Sequence, residues 1–226
     1  MERKTIAEFT IEGSTFGRPG KVICIGLNYR EHAIEAGLAL PDRPIAFAKW
    51  SSCLIGNGDP IRIPSLSNDI DYEAELAVVI GSPARNTSID EALDHVAGYT
   101  CFNDVTARDI QAAEGQFSRS KSFDTFGPIG AFVPASEIED PQQLTLRTMI
   151  NNEVVQEGFT ADMVFSVAEI ISFLSQDTVL ETGDVIATGT PAGIGLNKTP
   201  QRFLVPGDEV AVEINGIGRL TNPVIE

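Results

Sequence analysis

Hydrophobic positions along the chain come in short runs, alternating or continuous, and only seldom at helical spacing. Lys21–Gly26, Ile45–Lys49, Ala97–Phe102, Gly127–Val133 and Asp184–Thr188 read as apolar strands. Ile61-Arg-Ile63 sits between two prolines, and Thr5–Ile11 carries a weak strand pattern. Asp71–Ile80 begins acidic and ends as Leu76-Ala-Val-Val-Ile80, the continuous run of a strand buried on both faces. Leu144–Ile150 and Glu153–Gly158 flank Asn151-Asn152, which predicts a hairpin because Asn tolerates the left-handed region that tight turns need. Glu209–Ile214 and Gly218–Val224 close the strand series. Helical spacing is clear only at Ser166–Leu174. Asn28-Tyr-Arg-Glu31 and Thr106-Ala-Arg-Asp109 have the form of capping boxes and predict short helices ending at Gly37 and near Gly115. Ser88 predicts a cap for a helix reaching about His95. Many strands and few helices, without regular alternation, predict an α+β fold with a mixed sheet and not a doubly wound one. Without repeat, low-complexity tract or linker, the 226 residues read as one domain.

Charge narrows the partners. Sixteen Lys and Arg stand against 32 Asp and Glu, a formal net charge of −16. Nucleic acid and anionic membranes are repelled at long range, so an anionic ligand needs a local cation to hold it. No apolar stretch approaches the ~18–20 residues that span a bilayer. The opening MERKTIAEFT lacks the apolar core of a secretory leader, which points to the cytoplasm. Cys24, Cys53 and Cys101 are odd in number, with no C-x-x-C, and read as reduced thiols. Three cysteines exclude a Cys₄ zinc site, and the two histidines, His32 and His95, exclude a His₃ site. The nucleophile-elbow, phosphate-loop and dinucleotide glycine motifs are absent from the sequence.

The candidate chemistry is carboxylate chemistry. Asp69, Asp71, Glu73 and Glu75 share one parity, so a strand presents them on one face about 6.5 Å apart. Glu side chains can converge from there on one ion, and an all-oxygen site suits Mg²⁺, Mn²⁺ or Ca²⁺ rather than zinc. The competing reading is a solvated edge strand. Against it stands the apolar run that follows, beside which unbalanced carboxylates are costly to bury. Asp104 follows the strand Ala97–Phe102, with Arg108 and Gln111 behind it on one helical face. They form either a substrate floor or a turn cap with a surface arginine. His32 and Glu35, spaced i and i+3, can hydrogen-bond so that the carboxylate orients the imidazole for proton transfer; an incidental surface pair is the alternative. His95, at a helix end, reads as structural. Lys121, in a polar loop with two Phe, and Thr188-Gly-Thr190-Pro191, closing a strand, are weak signals alone.

Six segments in order, ICIGLNYREHAIEAG (23–37), DYEAELAVVIG (71–81), GYTCFNDVTARDIQ (98–111), KSFDTFGPIG (121–130), ETGDVIATGTPAGIG (181–195) and PGDEVAVEINGIGRLTNPV (206–224), resemble the fumarylacetoacetate hydrolase superfamily in its short single-domain bacterial form. The resemblance implies a mixed β-roll or sandwich with short peripheral helices, a core over about 20–224, and a homodimer. It implies Mg²⁺ or Mn²⁺ on Glu73, Glu75 and Asp104, and a His32–Glu35 base pair on a lid. It assigns Lys121 to catalysis, Arg108 and Gln111 to substrate, and Thr190 to the substrate carboxylate. The expected reaction is hydrolysis of the C–C bond of a 2,4-dioxo acid, an acylpyruvate or fumarylpyruvate, through a pyruvate enolate. Oxaloacetate decarboxylation, and isomerisation or decarboxylation of a 2-hydroxyhepta-2,4-diene-1,7-dioate, are alternatives on the same residues. An inert metal- or ligand-binding β-sandwich is the non-enzymatic alternative, in which the His32–Glu35 pair would have no purpose. The stretch Gly195–Pro206 is longer than a minimal turn and is expected to line the site or a dimer contact.

Overall fold

The computed structural model describes residues 10–226. The strand pattern at Thr5–Ile11 lies, for residues 5–9, outside the described residues. Strand β1 (Val22–Gly26) leads into helix α1 (Arg30–Glu35) and then β2 (Ile45–Lys49), β3 (Leu54–Ile55) and β4 (Ile61–Arg62). Next come β5 (Ile70–Asp71), β6 (Ala74–Ile80), β7 (Val96–Asn103) and β8 (Thr106–Ala107), then helices α2 (Arg108–Glu114) and α3 (Phe117–Ser120). The rest is β9 (Gly127–Pro128), β10 (Val133–Pro134), β11 (Thr145–Ile150), β12 (Glu153–Phe159), α4 (Val167–Leu174), β13 (Val185–Ala187), β14 (Glu209–Ile214) and β15 (Gly218–Ile225).

A six-stranded sheet in the order β10-β7-β6-β13-β1-β2 packs beside a five-stranded sheet in the order β12-β11-β14-β15-β4. The first is mixed, because β1 and β13 are parallel while β6 pairs antiparallel with both its neighbours. The fold is thus α+β with short helices at its periphery, as the sequence predicts. β6 lies inside its sheet, which explains its continuous apolar run. Leu76, Val78 and Ile80 pack with Leu146, Val212 and Leu220 of the second sheet and with Ile170 and Ile171 of α4. Ala77 and Val79 pack on the opposite face with Val22, Val185, Phe102 and Ile129. Each large aliphatic side chain so buried contributes ~1.5–3 kcal/mol over its exposed state. A third cluster around Ile61, Ile70, Tyr72, Phe126 and Val224 lies under β5 and β15.

Several local signals hold. Asn151 and Asn152 turn the β11–β12 hairpin at φ of 52° and 67°. The helical spacing at Ser166–Leu174 becomes α4, whose start Ser166 and Glu169 close with a complete capping box. Gly115 ends α2 at φ +64°. All three cysteines are free and buried. Burial pushes the Cys53 thiol up to about 11 and that of Cys101 to about 12, as befits inert core thiols. Among the described residues, no helix is long and apolar enough to cross a membrane.

Other signals are overruled. The two further capping boxes do not form: the cap positions of α1 and α2 are Tyr29 and Ala107, neither with a side-chain cap bond. Asn28 instead donates to the carbonyls of Thr188 (2.8 Å) and Phe165 (3.0 Å) and accepts the Phe165 N–H (2.9 Å). Thr106 lies in β8 and donates to the Asp104 carbonyl. Asn28, buried, takes tertiary partners over its local one, and Thr106, also buried, binds a carbonyl two residues back and accepts from Lys121 instead of capping α2. Ser88 donates to the Glu91 carboxylate, and only a single tight turn, Ala92–His95, is helical. Gly127–Val133 splits between β9 and β10. The acidic stretch is also not one strand: β5 pairs with β8 and β6 with β7, leaving Tyr72 and Glu73 at a break between them.

Candidate metal centre and its surroundings

The β6–β7 register builds the site. Ala74 pairs with Asn103 and Glu75 with Phe102. Past the strand ends, the Asp104 N–H donates to the Glu73 carbonyl at 2.9 Å, and the Glu73 N–H to Asn103 Oδ1 at 3.0 Å. Glu73 therefore lies opposite Asp104, and Glu75 follows one pleat on, on the same face. One carboxylate oxygen from each of Glu73, Glu75 and Asp104 lies within 4.8 Å of the others, and all three residues are buried. Asp71, on the far side of the break, is not one of these three.

Three cations are buried with the acids. Lys121 Nζ donates to Glu73 Oε2 (2.9 Å), Asp104 Oδ2 (2.7 Å) and the Thr106 hydroxyl (2.8 Å). Lys49 Nζ donates to Asp104 Oδ1 at 2.6 Å. Arg108 donates from Nε to Asp71 (2.8 Å), from Nη2 to Glu73 (2.6 Å) and from Nη1 to Gln111 (3.1 Å). The guanidinium thus braces a triad acid and keeps two of its five N–H groups for another ligand. Among the described residues, four carboxylates, Asp71, Glu73, Glu75 and Asp104, face three cations, so the cluster is one positive charge short.

The shortfall falls on Glu75. Its side chain is 1% exposed, and its hydrogen bond comes from the Gly189 N–H at 2.9 Å. Burial, together with the Asp104 and Glu73 charges, pushes its carboxyl well above the usual range. Glu73 behaves oppositely: burial opposes its ionisation, but Lys121 and Arg108 outweigh that and hold its carboxyl at about 2. Burial also opposes the charge on Lys121, and Asp104 and Glu73 more than restore it. An all-oxygen triad with one uncompensated buried charge fits a hard divalent cation such as Mg²⁺ or Mn²⁺.

Helix α1 brings the histidine. His32 Nδ1 lies 3.2 Å from Glu35 Oε2, and the His32 charge is among those that favour the Glu73 carboxylate. With Nδ1 on Glu35, Nε2 is the nitrogen left for reaction. Glu35 is itself held by the Gly193 N–H (2.9 Å) and the Asn197 amide (3.1 Å). Thr190 is buried and accepts from Gln156 Nε2 at 2.7 Å. The sequence reading overlooked Lys49, whose only signal was a lysine ending the apolar strand Ile45–Lys49. It also overlooked Gln156, whose buried amide ties Thr190 to Ala74 and Thr148, and nothing local marks it. His95, read as structural, contacts Ser82 at 3.0 Å.

A mixed β-fold with an acid triad at the ends of two central strands and a histidine–carboxylate pair beside it defines an enzyme scaffold around a candidate cation site. The chain belongs to the fumarylacetoacetate hydrolase family: it matches the Fumarylacetoacetate (FAA) hydrolase C-terminal family over residues 21–225. It is 44% identical to the mitochondrial oxaloacetate tautomerase of Xenopus laevis, across 92% of this chain and 66% of that protein. It is 45% identical to oxaloacetate tautomerase YisK of Bacillus subtilis, across 92% of this chain and 70% of that one. The chain thus spans about two thirds of the length of these relatives. Among solved structures, the fumarylacetoacetate hydrolase of Exiguobacterium antarcticum aligns with a TM-score of 0.86 and 42% identity, covering 92% of this chain and 76% of its own. The 2-hydroxyhepta-2,4-diene-1,7-dioate isomerase of Mycobacterium marinum aligns at 0.82 and 39%, covering 92% and 75%.

Proposed function

We propose that this chain is a Mg²⁺- or Mn²⁺-dependent enzyme that interconverts the keto and enol forms of a 2-oxo dicarboxylic acid of the oxaloacetate class. The observation that carries the reading is Glu75, a buried acid that among the described residues has no cationic partner, beside two acids that have them. Glu73, Glu75 and Asp104 would hold the cation, which when bound supplies Lewis-acid charge to the 2-oxo and carboxylate oxygens. His32 Nε2 takes the C3 proton of the keto acid while Glu35 fixes the ring from Nδ1. O2 then gains a proton from the imidazolium or from water, so the reaction is balanced without a co-reactant. Lys121 lends positive charge where the enolate develops. The free N–H groups of Arg108, the amide of Gln111 and the Thr190 hydroxyl bind the substrate's carboxylates. The names of the Xenopus and Bacillus relatives support this choice.

A second reading uses the same residues. His32 deprotonates water for attack on the distal carbonyl of an acylpyruvate, and a pyruvate enolate leaves; the likeness to the Exiguobacterium hydrolase favours it. Decarboxylation of oxaloacetate would need less of His32, because its leaving group is already a carboxylate. We further propose that the protein works as a cytoplasmic homodimer on small molecules. Ile45 and Trp50, exposed on and beside the edge strand β2, support a self-association surface.

The test is an assay of the purified protein with Mg²⁺ or Mn²⁺, following enol absorbance for oxaloacetate and C–C cleavage for acetylpyruvate. The expected result is accelerated ketonisation of oxaloacetate that EDTA abolishes and Mn²⁺ restores, and that falls ~10²–10⁴-fold in His32→Ala. Cleavage of acetylpyruvate without any effect on oxaloacetate would select the second reading. Inactivity on both with either metal would overturn both.

A further inference from the structure

Helix α1 is only six residues long, too short to persist by itself. Its packing is thin and one-ended. Tyr29 before it and Ala33 within it are buried, but Ile34 is 78% exposed. Tyr29 also bridges to Met163, which secures the N-terminal end. Among the described residues the C-terminal turn has no such packing, and it carries Glu35. Both oxygens of that carboxylate leave the helix: Oε1 accepts the Gly193 N–H at 2.9 Å, and Oε2 accepts the Asn197 amide at 3.1 Å as well as facing His32.

The segment that receives Glu35 is fixed on its other side. The N–H groups of Gly195 and Leu196 donate to Asp71 at 2.7 and 3.0 Å. Asp71 in turn binds Arg108, which binds Glu73. At residue 195 a Cβ would come within 2.1 Å of the Arg202 carbonyl and 2.6 Å of Asp71 Oδ1, so only glycine lets the backbone approach this closely. One turn of chain therefore grips the helix with one set of groups and the acid cluster with another.

We propose that Gly193–Asn197 is a latch that holds α1 closed over the acid cluster through Glu35, with Asn197 as its positioning residue. The latch keeps the His32 ring aligned, because the oxygen that faces His32 is the one Asn197 holds. Its effect on turnover rests on the proposed function above; its effect on the helix does not.

Asn197→Ala removes the amide, and Asn197→Asp keeps its shape while setting a carboxylate against Glu35. Hydrogen exchange is read at the helix amides Ala33, Ala36 and Gly37, whose acceptors lie within the turn. Exchange at Ala36 and Gly37 should rise roughly tenfold in Asn197→Ala, as expected for one hydrogen bond to a charged group, and further in Asn197→Asp. Ala33, at the packed end, should change least. Mn²⁺ affinity should stay at its wild-type value, because the triad is untouched, while kcat falls more than KM rises. Wild-type exchange at Ala36 and Gly37 in both variants would overturn the latch. So would raised exchange in Asn197→Ala with wild-type exchange in Asn197→Asp, since shape alone would then suffice. If the exchange pattern appears but no 2-oxo acid is turned over by the wild type, the latch stands and the proposed function fails.

Discussion

At the scale of single residues, the site is a charge balance that does not close. Asp104 has a lysine on each oxygen, Glu73 has Lys121 and Arg108, and Glu75 has a backbone N–H. Glu75→Gln removes the uncompensated charge while keeping an oxygen for Gly189. The metal-free protein should therefore become more stable, by about 1–3 kcal/mol, the cost of a poorly satisfied buried polar group. Mn²⁺ binding measured by calorimetry should be lost in the same variant. A lower metal-free unfolding free energy would show that the shortfall lies elsewhere. Parity, a local property, singled out Glu73 and Glu75 together with Asp69 and Asp71, whereas Asp104 and His32 were weak signals until the family resemblance assigned them. Lys49 was not legible: its meaning comes from Asp104, 55 residues away, which nothing near Lys49 announces.

At the scale of elements, Asn28 and Thr106 read as helix caps and are not, whereas Ser166, in a stretch read only by its helical spacing, is one. Ser166 sits at the surface end of α4 and satisfies its own helix. Asn28 and Thr106 are buried, and their side chains bind carbonyls from other elements or across a turn. Ser166→Ala should cost about 1 kcal/mol, the usual value of a cap. Asn28→Ala should cost more in chemical unfolding, because it strands the carbonyls of Thr188 and Phe165 in the interior. A smaller loss for Asn28→Ala would refute that ranking. The long segment after Ile194 is held in a related way at its far end. Asp208 accepts two bonds from Arg202, at 2.8 and 2.9 Å, and one from the Val205 N–H at 3.0 Å. Burial opposes the charge on Asp208, but the Arg202, Val205 and Asn151 bonds outweigh it and hold the carboxyl below its usual range. A depressed carboxyl stabilises the fold above its unfolded pKa of about 4, and that stability is lost as pH falls through the folded value. The advantage of wild type over Asp208→Asn should thus be full at neutral pH and shrink in acid below about pH 4. An advantage that grows on acidification would contradict the pairing.

At the scale of the molecule, a net charge of −16 surrounds a site proposed to bind an anion. Local cations and the bound metal must offset that field at short range. The same excess makes self-association depend on apolar contact. Edge strand β2 offers Ile45 at 41% exposure and Trp50, just past its end, at 52%. A solvent-facing hydrophobic edge is a pairing surface unless something covers it. Sedimentation should accordingly give a dimer for the wild type and a monomer for Ile45→Lys; a wild-type monomer at micromolar concentration would remove the homodimer.

The apolar runs of β1, β2 and β6, the Asn151-Asn152 hairpin and the helical spacing of Ser166–Leu174 were settled by the sequence itself, because each depends on neighbours within a few residues. The sequence pattern offered four acids, Asp69, Asp71, Glu73 and Glu75, and only the family resemblance picked Glu73 and Glu75 out with Asp104. Tertiary structure alone decided which acids stay together. Beyond the break at Tyr72–Glu73, Arg108 joins Asp71 to Glu73, and among the described residues Glu75 has no cation of its own. Tertiary structure also decided that Glu35 would be held from Gly193 and Asn197, some 160 residues on. Such pairings depend on which buried polar groups meet once the two sheets close, and burial makes each donor and acceptor take the partner it finds there.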